Sequence, residues 1–350
     1  MARYIDVEDL DRKYILQEDI ECKYGKILKK GSILISSYKA TLKKFEVMQL
    51  YVEECTGSVV DMQVLSDLNK SIDRQVEEVS TRVCAKLEEY KEVSRYIKNR
   101  VRETGLDETL NELLRNDRYT YKHSINVAIL TALLCMRNGI DGEEKRDTVI
   151  GALIHDVGKL LIPKEILNKC GRLDDVEMEI MRSHASIGLE IVSRDTRFSE
   201  LVRDVVGSHH ERDNGAGYPK KTKGNISLGA KVVSVADVFD ALVSDRPYRS
   251  GMSINKAIEI LSKDSLNSDI KDSLFHMVVY YPINSVVIIS NGCIGVVEEN
   301  GEDLQRPCIR LIYDMVVSER IDEKVELINS DAYIVDRIDN KQNIDRITPI

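Results

Sequence analysis

Apolar residues recur at steps of three and four between Val64 and Val101, with no glycine or proline among them. This spacing puts apolar side chains on one face of a helix, so it predicts one or two long helices. That face either packs against the next domain or forms a dimerising coiled coil, so a homodimer through residues 64–101 is one hypothesis. The apolar positions are Leu65, Leu68, Ile72, Val76, Val79, Val83, Leu87, Tyr90, Val93, Ile97 and Val101.

The two ends of the chain have strand-like patterns instead. Residues 1–58 contain short β-branched runs such as KILKKGSILISS, broken by glycines, which predict a small β-containing module. Near the other end, NSVVIIS, CIGVVEE and CIRLIYDMVV are separated by Asn291-Gly292 and Asn300-Gly301, a dipeptide typical of hairpin turns. The remaining predicted segments are packing helices at 59–116, a helical domain at 117–275 and a small β domain at 276–350.

The helical domain contains five of the six histidines. His123 lies four residues before Val127 at a helical step, so its imidazole is expected to point into the core. The stretch GALIHDVGKLLIP places His155 and Asp156 inside an otherwise apolar segment. Burying such groups without partners costs about 2 to 7 kcal/mol each, so something specific has to satisfy them.

A third histidine is predicted on the next clear helix. Asp174 and Glu177 have the spacing of a capping box, which predicts the start of that helix. His184 is in line with Ile180 and Ile187 on one continuous helix, so it too is expected to face the core. A lone core histidine is usually satisfied by an ordinary hydrogen bond, and this alternative holds for each of them singly.

Ordinary hydrogen bonds do not readily explain so many histidines and acidic residues in one domain. His209 and His210 are adjacent, and Asp237 and Asp240 lie three apart on one face of another apolar helix. Five imidazoles and two carboxylates suffice for two divalent metal ions, with a carboxylate available to bridge them. Without thiolates, such ligands suit Fe, Mn, Zn or Ni, and paired ions suit phosphoester hydrolysis.

Composition narrows the function classes. Hydrophobic residues make up 43% and charged residues 31% of 350, which is typical of a globular protein of more than one domain. The net charge of -9 weighs against a nucleic-acid polymer as partner. No apolar run is long enough for a membrane span, and the seven cysteines are scattered. A cytoplasmic location is therefore expected.

The histidine motifs resemble a known enzyme family. His155-Asp156 followed by Gly158-Lys159 resembles the HD superfamily of metal-dependent phosphohydrolases. The series HDVGKLLIP, MRSHASIG, HHERDNGAGYP and ADVFDALVSDRPYR resembles the HD-GYP family of bacterial cyclic di-GMP phosphodiesterases over roughly residues 117–275. The resemblance implies a mainly α fold, with an all-helical HD-type bundle between the small β domains. It also implies hydrolysis of cyclic di-GMP to pGpG, and on to GMP in some members.

The resemblance assigns roles at the metals. Asp156 would bridge the ions, and a hydroxide held between them would attack phosphorus. Lys159 would steady the scissile phosphate, while Asp240 would orient a ligand without binding metal itself. The implied ligands are His123, His155, Asp156, His184, His209, His210 and Asp237.

The resemblance also assigns a substrate face. Gly217 and Tyr218 belong to the loop that would help to form it, with the tyrosine near the nucleotide. Arg246 and Arg249 would contact a phosphate or a guanine edge; the alternative for these two is a structural role at a helix end. Lys159 would complete the substrate contacts.

Two departures from the family pattern bear on function. Some members hold a third metal through a glutamate one turn before the first histidine, but Tyr119 stands at that position, so two ions are predicted. Asp213-Asn214 replaces the common Trp-Asp of the glycine loop. The alternatives are therefore an HD phosphohydrolase for another nucleotide and a catalytically silent cyclic-dinucleotide sensor.

Overall fold

The chain forms two compact units, one made of Met1–Val79 and Leu87–Ser273, the other of Ser80–Lys86 and Leu274–Ile350. Within the part of the chain that is described, no helix is both long and apolar enough to cross a membrane. The computed structural model describes residues 2–11, 14–22, 25–28, 30–34, 38–44, 46–54, 62–83, 87–245, 250–301, 303–317 and 319–338.

The first unit begins with short strands. They are β1 (Arg3–Asp6), β2 (Tyr14–Leu16), β3 (Ile20–Cys22), β4 (Gly25–Leu28), β5 (Ile33–Leu34) and β6 (Gln49–Glu54), with helix α1 (Lys39–Lys44) before β6. Four strands form an antiparallel sheet in the order β1-β6-β2-β5, and β3 pairs with β4. Leu16, Leu34 and Val52 are buried on this sheet, so it has a core of its own.

The rest of the first unit is helical, and the last helix continues into the second. The helices are α2 (Met62–Ser80), α3 (Leu87–Thr104), α4 (Asp107–Asn116), α5 (Arg118–Arg137), α6 (Gly142–Ile154), α7 (Lys164–Leu167), α8 (Asp175–Arg182), α9 (His184–Ser193), α10 (Glu200–Ser208), α11 (Leu228–Val243), α12 (Ile254–Lys263) and α13 (Ser268–Phe275). A 3-10 turn, Val157–Leu161, follows α6.

Helix α5 lies at the centre of this bundle. Its residues from Ile125 to Cys135 are all buried because α6 and α11 both pack against it. The Asp117 side chain caps the helix by accepting hydrogen bonds from the backbone N–H groups of Tyr119 and Thr120. A helix buried on every side can place a polar residue only where other elements supply a partner for it.

Helices α2 and α3 cover the 64–101 region, which the sequence predicted as one or two long helices. Leu68, Ile72, Val93 and Ile97 are buried within this single chain. The apolar face is therefore covered without a second copy, as the packing alternative expects. The homodimer stays a prediction.

The amino-terminal sheet and the helices belong to one compact unit. Strand β4 contacts both α7 and the turn Val157–Leu161, and α1 contacts α9. The Arg115 guanidinium also donates a 3.0 Å hydrogen bond to the Gly31 carbonyl. The proposed division into residues 1–58, 59–116 and 117–275 stays a prediction, and these contacts join its three parts.

The expectation of one continuous helix through His184 was wrong in detail, because the structure ends α8 at Arg182 and starts α9 at His184. The capping box of Asp174 and Glu177 begins α8 as predicted. At the break, the Ser183 hydroxyl donates to the Ile180 carbonyl and His184 Nδ1 lies 2.7 Å from the Met181 carbonyl. Side chains thus take up carbonyl groups that a continuous helix would pair with backbone N–H groups.

The second unit contains a five-stranded antiparallel sheet. Its strands are β7 (Val286–Ile289), β8 (Cys293–Glu299), β9 (Cys308–Asp314), β10 (Glu319–Glu326) and β11 (Ile334–Ile338), in the order β10-β9-β8-β7-β11. The predicted turn at Asn291-Gly292 joins β7 to β8, and Gly292 has the positive φ of 86° that favours glycine. Beyond Asn300-Gly301 the connection extends to residue 307 before β9 begins. A mainly helical chain with β sheets towards both ends is thereby confirmed.

Candidate metal centre

The predicted ligands come together in the helical bundle. They are supplied by the second turn of α5, the residues just after α6, the start of α9, the residues just after α10 and the middle of α11. All are buried except His210, whose side chain keeps 19% of its surface exposed. The residues brought together are His123, His155, Asp156, His184, His209, His210 and Asp237.

Two groups of ligand atoms that share no residue can be distinguished, and a third group, formed by His155, Asp156 and His209, overlaps the two. In one, Asp237 Oδ1 lies 2.9 Å from His123 Nε2 and 4.0 Å from His155 Nε2. In the other, His184 Nε2 lies 3.3 Å from His209 Nε2 and 3.2 Å from His210 Nε2. Within each group one ligand atom per residue lies within 4.8 Å of the others, so each group could hold an ion.

Asp156 lies between the two groups. Its Oδ2 atom is 3.3 Å from His155 Nε2 and 4.0 Å from His123 Nε2, while Oδ1 is 3.4 Å from His184 Nε2. Each carboxylate oxygen therefore faces a different histidine group. Among the described residues, the buried Oδ1 atom has no hydrogen-bond partner, and the same holds for His155 Nε2. Buried polar atoms left this way are costly, and a cation would satisfy both.

Three histidines are oriented by the same local contact. The Nδ1 atoms of His155, His184 and His209 lie 2.7–2.9 Å from the carbonyl oxygen three residues earlier in the chain. A carbonyl can only accept, so each Nδ1 carries the proton and each Nε2 presents a lone pair to the interior. Lone pairs of His184 and His209 that face each other repel unless a cation lies near both. The donor set therefore fits a metal centre.

The protonation states also suit metal binding. Burial lowers the pKa of His184 to about 4 and that of His209 to about 3, so both are neutral at pH 7. Burial would raise the pKa of Asp156, but Lys159 and the neighbouring histidines hold it well below its usual range. The pKa of Asp237 is likewise lowered, against the effect of burial, by its hydrogen bond to His123. Neutral imidazoles and ionised carboxylates are the forms that bind metals.

Two further predicted residues lie beside the ligands. Asp240 Oδ2 is 2.7 Å from His123 Nδ1, and its Oδ1 accepts hydrogen bonds from Asn126 and Ser244. Asp240 thus touches a ligand from outside the cluster, the place predicted for an orienting residue. Lys159 Nζ lies 2.6 Å from Asp156 Oδ2 with a fifth of its side chain exposed, so an incoming anion could reach it.

The Gly217-Tyr218 loop lies against the second histidine group. The Tyr218 ring stacks on His210 with centroids 4.6 Å apart, and Tyr218 N–H donates to the His210 carbonyl. A side chain at Gly217 would collide with the backbone of His210, Glu211 and Arg212, so only glycine fits there. The tyrosine is therefore positioned directly by ligand-bearing backbone.

Sequence reasoning missed Glu211, which anchors this loop. The carboxylate is buried and accepts hydrogen bonds from the backbone N–H groups of Lys220, Lys221 and Thr222 at 2.6–3.3 Å. These residues follow the tyrosine directly along the chain. The sequence signal for this role was the position of Glu211 directly after the His209-His210 pair.

The remaining predicted residues have mixed outcomes. Tyr119, at the position of the third-metal glutamate, stacks on His123 with ring centroids 5.8 Å apart. In the loop where Asp213-Asn214 differs from the family pattern, Asn214 Oδ1 accepts a hydrogen bond from Ala216 N–H, which is typical of a turn. Arg246 and Arg249 lie outside the described residues, so their roles stay predictions.

A close contact between two backbone segments lies near the ligands. Gly158, in the turn after Asp156, packs so closely on α9 that a Cβ atom there would collide with the His184 carbonyl and come within 2.7 Å of Gly188 N. The segment carrying His155 and Asp156 is thus in backbone contact with the helix that carries His184. The two ligand groups are held together by main chain as well as by side chains.

Known proteins are similar to this chain in sequence. Residues 107–271 match the family model described as HD domain. The chain is 35% identical over 211 residues to the cyclic di-GMP phosphodiesterase PA4108 of Pseudomonas aeruginosa, covering 59% of this chain and 50% of that protein. It is 31% identical to the cyclic di-GMP phosphodiesterase response regulator RpfG of Xanthomonas campestris, covering 65% of this chain and 58% of the relative.

A third relative has a different named substrate. The 3'3'-cGAMP-specific phosphodiesterase 3 of Vibrio cholerae is 38% identical over 147 residues, covering 42% of this chain and 32% of that protein. The chain spans about half the length of the Pseudomonas relative and a third of the Vibrio one. Residues 107–271 thus match an HD domain, and the named relatives and the motif series together support a relationship to the HD-GYP phosphodiesterases.

Proposed function

We propose that the chain is a metal-dependent phosphodiesterase that hydrolyses cyclic di-GMP. The observation that carries the proposal is the Asp156 carboxylate, whose oxygens lie 3.3 Å from His155 Nε2 and 3.4 Å from His184 Nε2 in separate histidine groups. Such a carboxylate suits a bridge between two divalent ions, an arrangement that recurs in phosphoester hydrolysis. The substrate is proposed from the family and from the named activities of two relatives.

Two ions, drawn from Fe, Mn, Zn or Ni, would occupy the two groups with Asp156 shared between them. When bound, they would lower the pKa of a water and stabilise charge on the attacking and leaving oxygens. The buried carboxylates and the Nε2 lone pairs of His155, His184 and His209 favour cations over a neutral occupant. The proposed ligands are His123, His155 and Asp237 for one ion and His184, His209 and His210 for the other.

The reaction adds water across one P–O bond of the ring. The hydroxyl joins phosphorus, the bond to a ribose 3′-oxygen breaks, and that oxygen takes up the proton, which gives linear pGpG. Lys159 would hold the reacting phosphate, and the position of its ammonium 2.6 Å from Asp156 Oδ2 supports this role. Tyr218, stacked beside His210, would border the nucleotide, and Arg246 and Arg249 keep their proposed substrate contacts.

Cyclic GMP-AMP is the second candidate substrate. A relative at 38% identity is named for that substrate, although it matches less of this chain than the cyclic di-GMP enzymes do. Both ligands carry two phosphodiesters on one ring, so the same metal centre could act on either. A substrate panel with matched metals separates the two.

The decisive experiment uses the full chain, purified without oxygen. Its metal content is measured, and each cyclic dinucleotide is incubated with it while products are separated by chromatography. We expect Asp156→Ala to lower turnover at least about 100-fold, because both ligand groups lose their shared carboxylate. Asp175→Ala removes an equal charge from the exposed start of α8 and should leave turnover intact. Intact dinucleotide after incubation with metal-loaded wild-type protein would refute the proposal.

A further inference from the structure

The Arg182 guanidinium lies beside the Tyr218 ring, outside the residue set assigned so far. Its central carbon is 5.6 Å from the ring centroid, within the range of a cation–π contact. The same ring stacks on the ligand His210. Arg182 is therefore one aromatic ring removed from the metal centre, at the end of α8 that leads into His184.

Arg182 differs from the other arginine near this ring. Arg212 is occupied, since its Nε donates to Asp264 Oδ1 at 3.1 Å and its Nη1 donates to the Glu211 carbonyl. The Arg182 side chain is exposed, and its guanidinium makes no hydrogen bond or ion pair with another described residue.

A cyclic dinucleotide needs such a charge. It carries two phosphodiesters, of which only one can react beside Asp156 and Lys159, while the other lies across the ring and remains anionic. The chain as a whole is acidic, with a net charge of -9, so positive charge for the second phosphate has to be local. A guanidinium resting on an aromatic face keeps its edge N–H groups free for phosphate oxygens.

We propose that Arg182 is a substrate-binding residue that contacts the non-reacting phosphodiester of the cyclic dinucleotide, with the Tyr218 ring holding its guanidinium in place. This inference rests on the proposed function. It extends the substrate face beyond the loop to the end of α8. It also gives the tyrosine a second task, which is to support a cation as well as border the nucleotide.

The test compares two substrates that differ in the second phosphodiester. Cyclic di-GMP has it, and bis(4-nitrophenyl) phosphate, a single diester, does not. In Arg182→Ala we expect the KM for cyclic di-GMP to rise roughly 10- to 100-fold, as expected for one lost charge-assisted hydrogen bond. The rise should exceed that for bis(4-nitrophenyl) phosphate at least tenfold, with kcat for cyclic di-GMP changed less than threefold. Arg194→Ala removes an equal charge from exposed surface at the end of α9 and serves as control.

A lysine substitution identifies the contacted group. Arg182→Lys keeps a charge that a phosphate accepts but loses the planar group that rests on Tyr218, so its KM should lie between those of wild type and Arg182→Ala. A KM as poor as that of Arg182→Ala would indicate a forked contact to a guanine edge and overturn the phosphate assignment. Equal changes for both substrates, or none, would overturn the inference as a whole. If wild type cleaves only bis(4-nitrophenyl) phosphate, the proposed function itself fails, and that outcome is distinct from the others.

Discussion

Replacing Asp240 by asparagine should weaken metal binding without removing any ligand. The carboxylate accepts a hydrogen bond from His123 Nδ1 through one oxygen, and from Asn126 and Ser244 through the other. An asparagine has one acceptor oxygen and one donor nitrogen, so it cannot serve both sides. If its oxygen stays with Asn126 and Ser244, its NH2 group faces His123 Nδ1 and favours the tautomer that protonates Nε2.

The size of the effect follows from this geometry. Burial would lower the pKa of His123, but its hydrogen bonds to Asp237 and Asp240 raise it to about 9, so Asp240 contributes much of the basicity of this imidazole. Loss of a partner of this kind typically costs 10- to 100-fold in metal affinity, which is about 1.4 to 2.8 kcal/mol. Only the ion held by His123, His155 and Asp237 should be affected, because Asp240 does not orient the other group, in which backbone carbonyls orient His184 and His209.

Metal affinity is measured by competition with a chelator of known strength, on full-length protein prepared without oxygen. Two binding steps are expected in wild type, and in Asp240→Asn one step should weaken while the other keeps its affinity. Ser244→Ala, which removes a hydrogen bond to the same carboxylate but not its contact with His123, should weaken that step less than threefold. Unchanged affinity at both steps in Asp240→Asn would refute the orienting role.

Three further predictions follow from the site. Glu211→Gln should raise the KM for cyclic di-GMP about tenfold with unaltered metal content, because a charged acceptor of three loop N–H groups is lost; a fall in bound metal would contradict this. Gly158→Ala should lower the free energy of unfolding by about 2 to 4 kcal/mol, because its Cβ would collide with the backbone of α9. Gly301→Ala is the control, because a Cβ there meets open space. Equal denaturant midpoints for the two variants would contradict the proposed collision at Gly158. Chelation should lower the melting temperature, since free ion at 100 times its Kd stabilises the folded state by about 2.7 kcal/mol, and unaltered melting would argue against a bound ion.

Much of the fold could be predicted because its signals are local. The capping box at Asp174 and Glu177 marks a helix start through contacts within four residues, and Asn291-Gly292 marks a turn by the backbone angles it tolerates. The inward direction of His123 follows from helical spacing alone. Such features need no knowledge of distant parts of the chain.

Other features depend on tertiary contacts that a pattern does not contain. The break at Ser183 leaves the apolar spacing of the segment almost unaltered, so periodicity could not locate it. The partners of Glu211 are backbone groups of a loop whose path is set by packing on His210. The family resemblance implied a shared Asp156, but its distances to both histidine groups depend on how the segment after α6 lies beside α9.

The contact made by Gly158 has a consequence for how such a centre can change over time. At Gly158 the backbone packs directly against the backbone of α9. The distance between the two histidine groups is therefore set by the backbone, and changes in nearby side-chain rotamers should not alter it. Sequence changes in the surrounding side chains, in the Gly217-Tyr218 loop or in the β-containing modules can therefore occur without changing this distance. New substrate specificities would then arise in the residues around the metal centre, while the spacing of the two histidine groups stays the same.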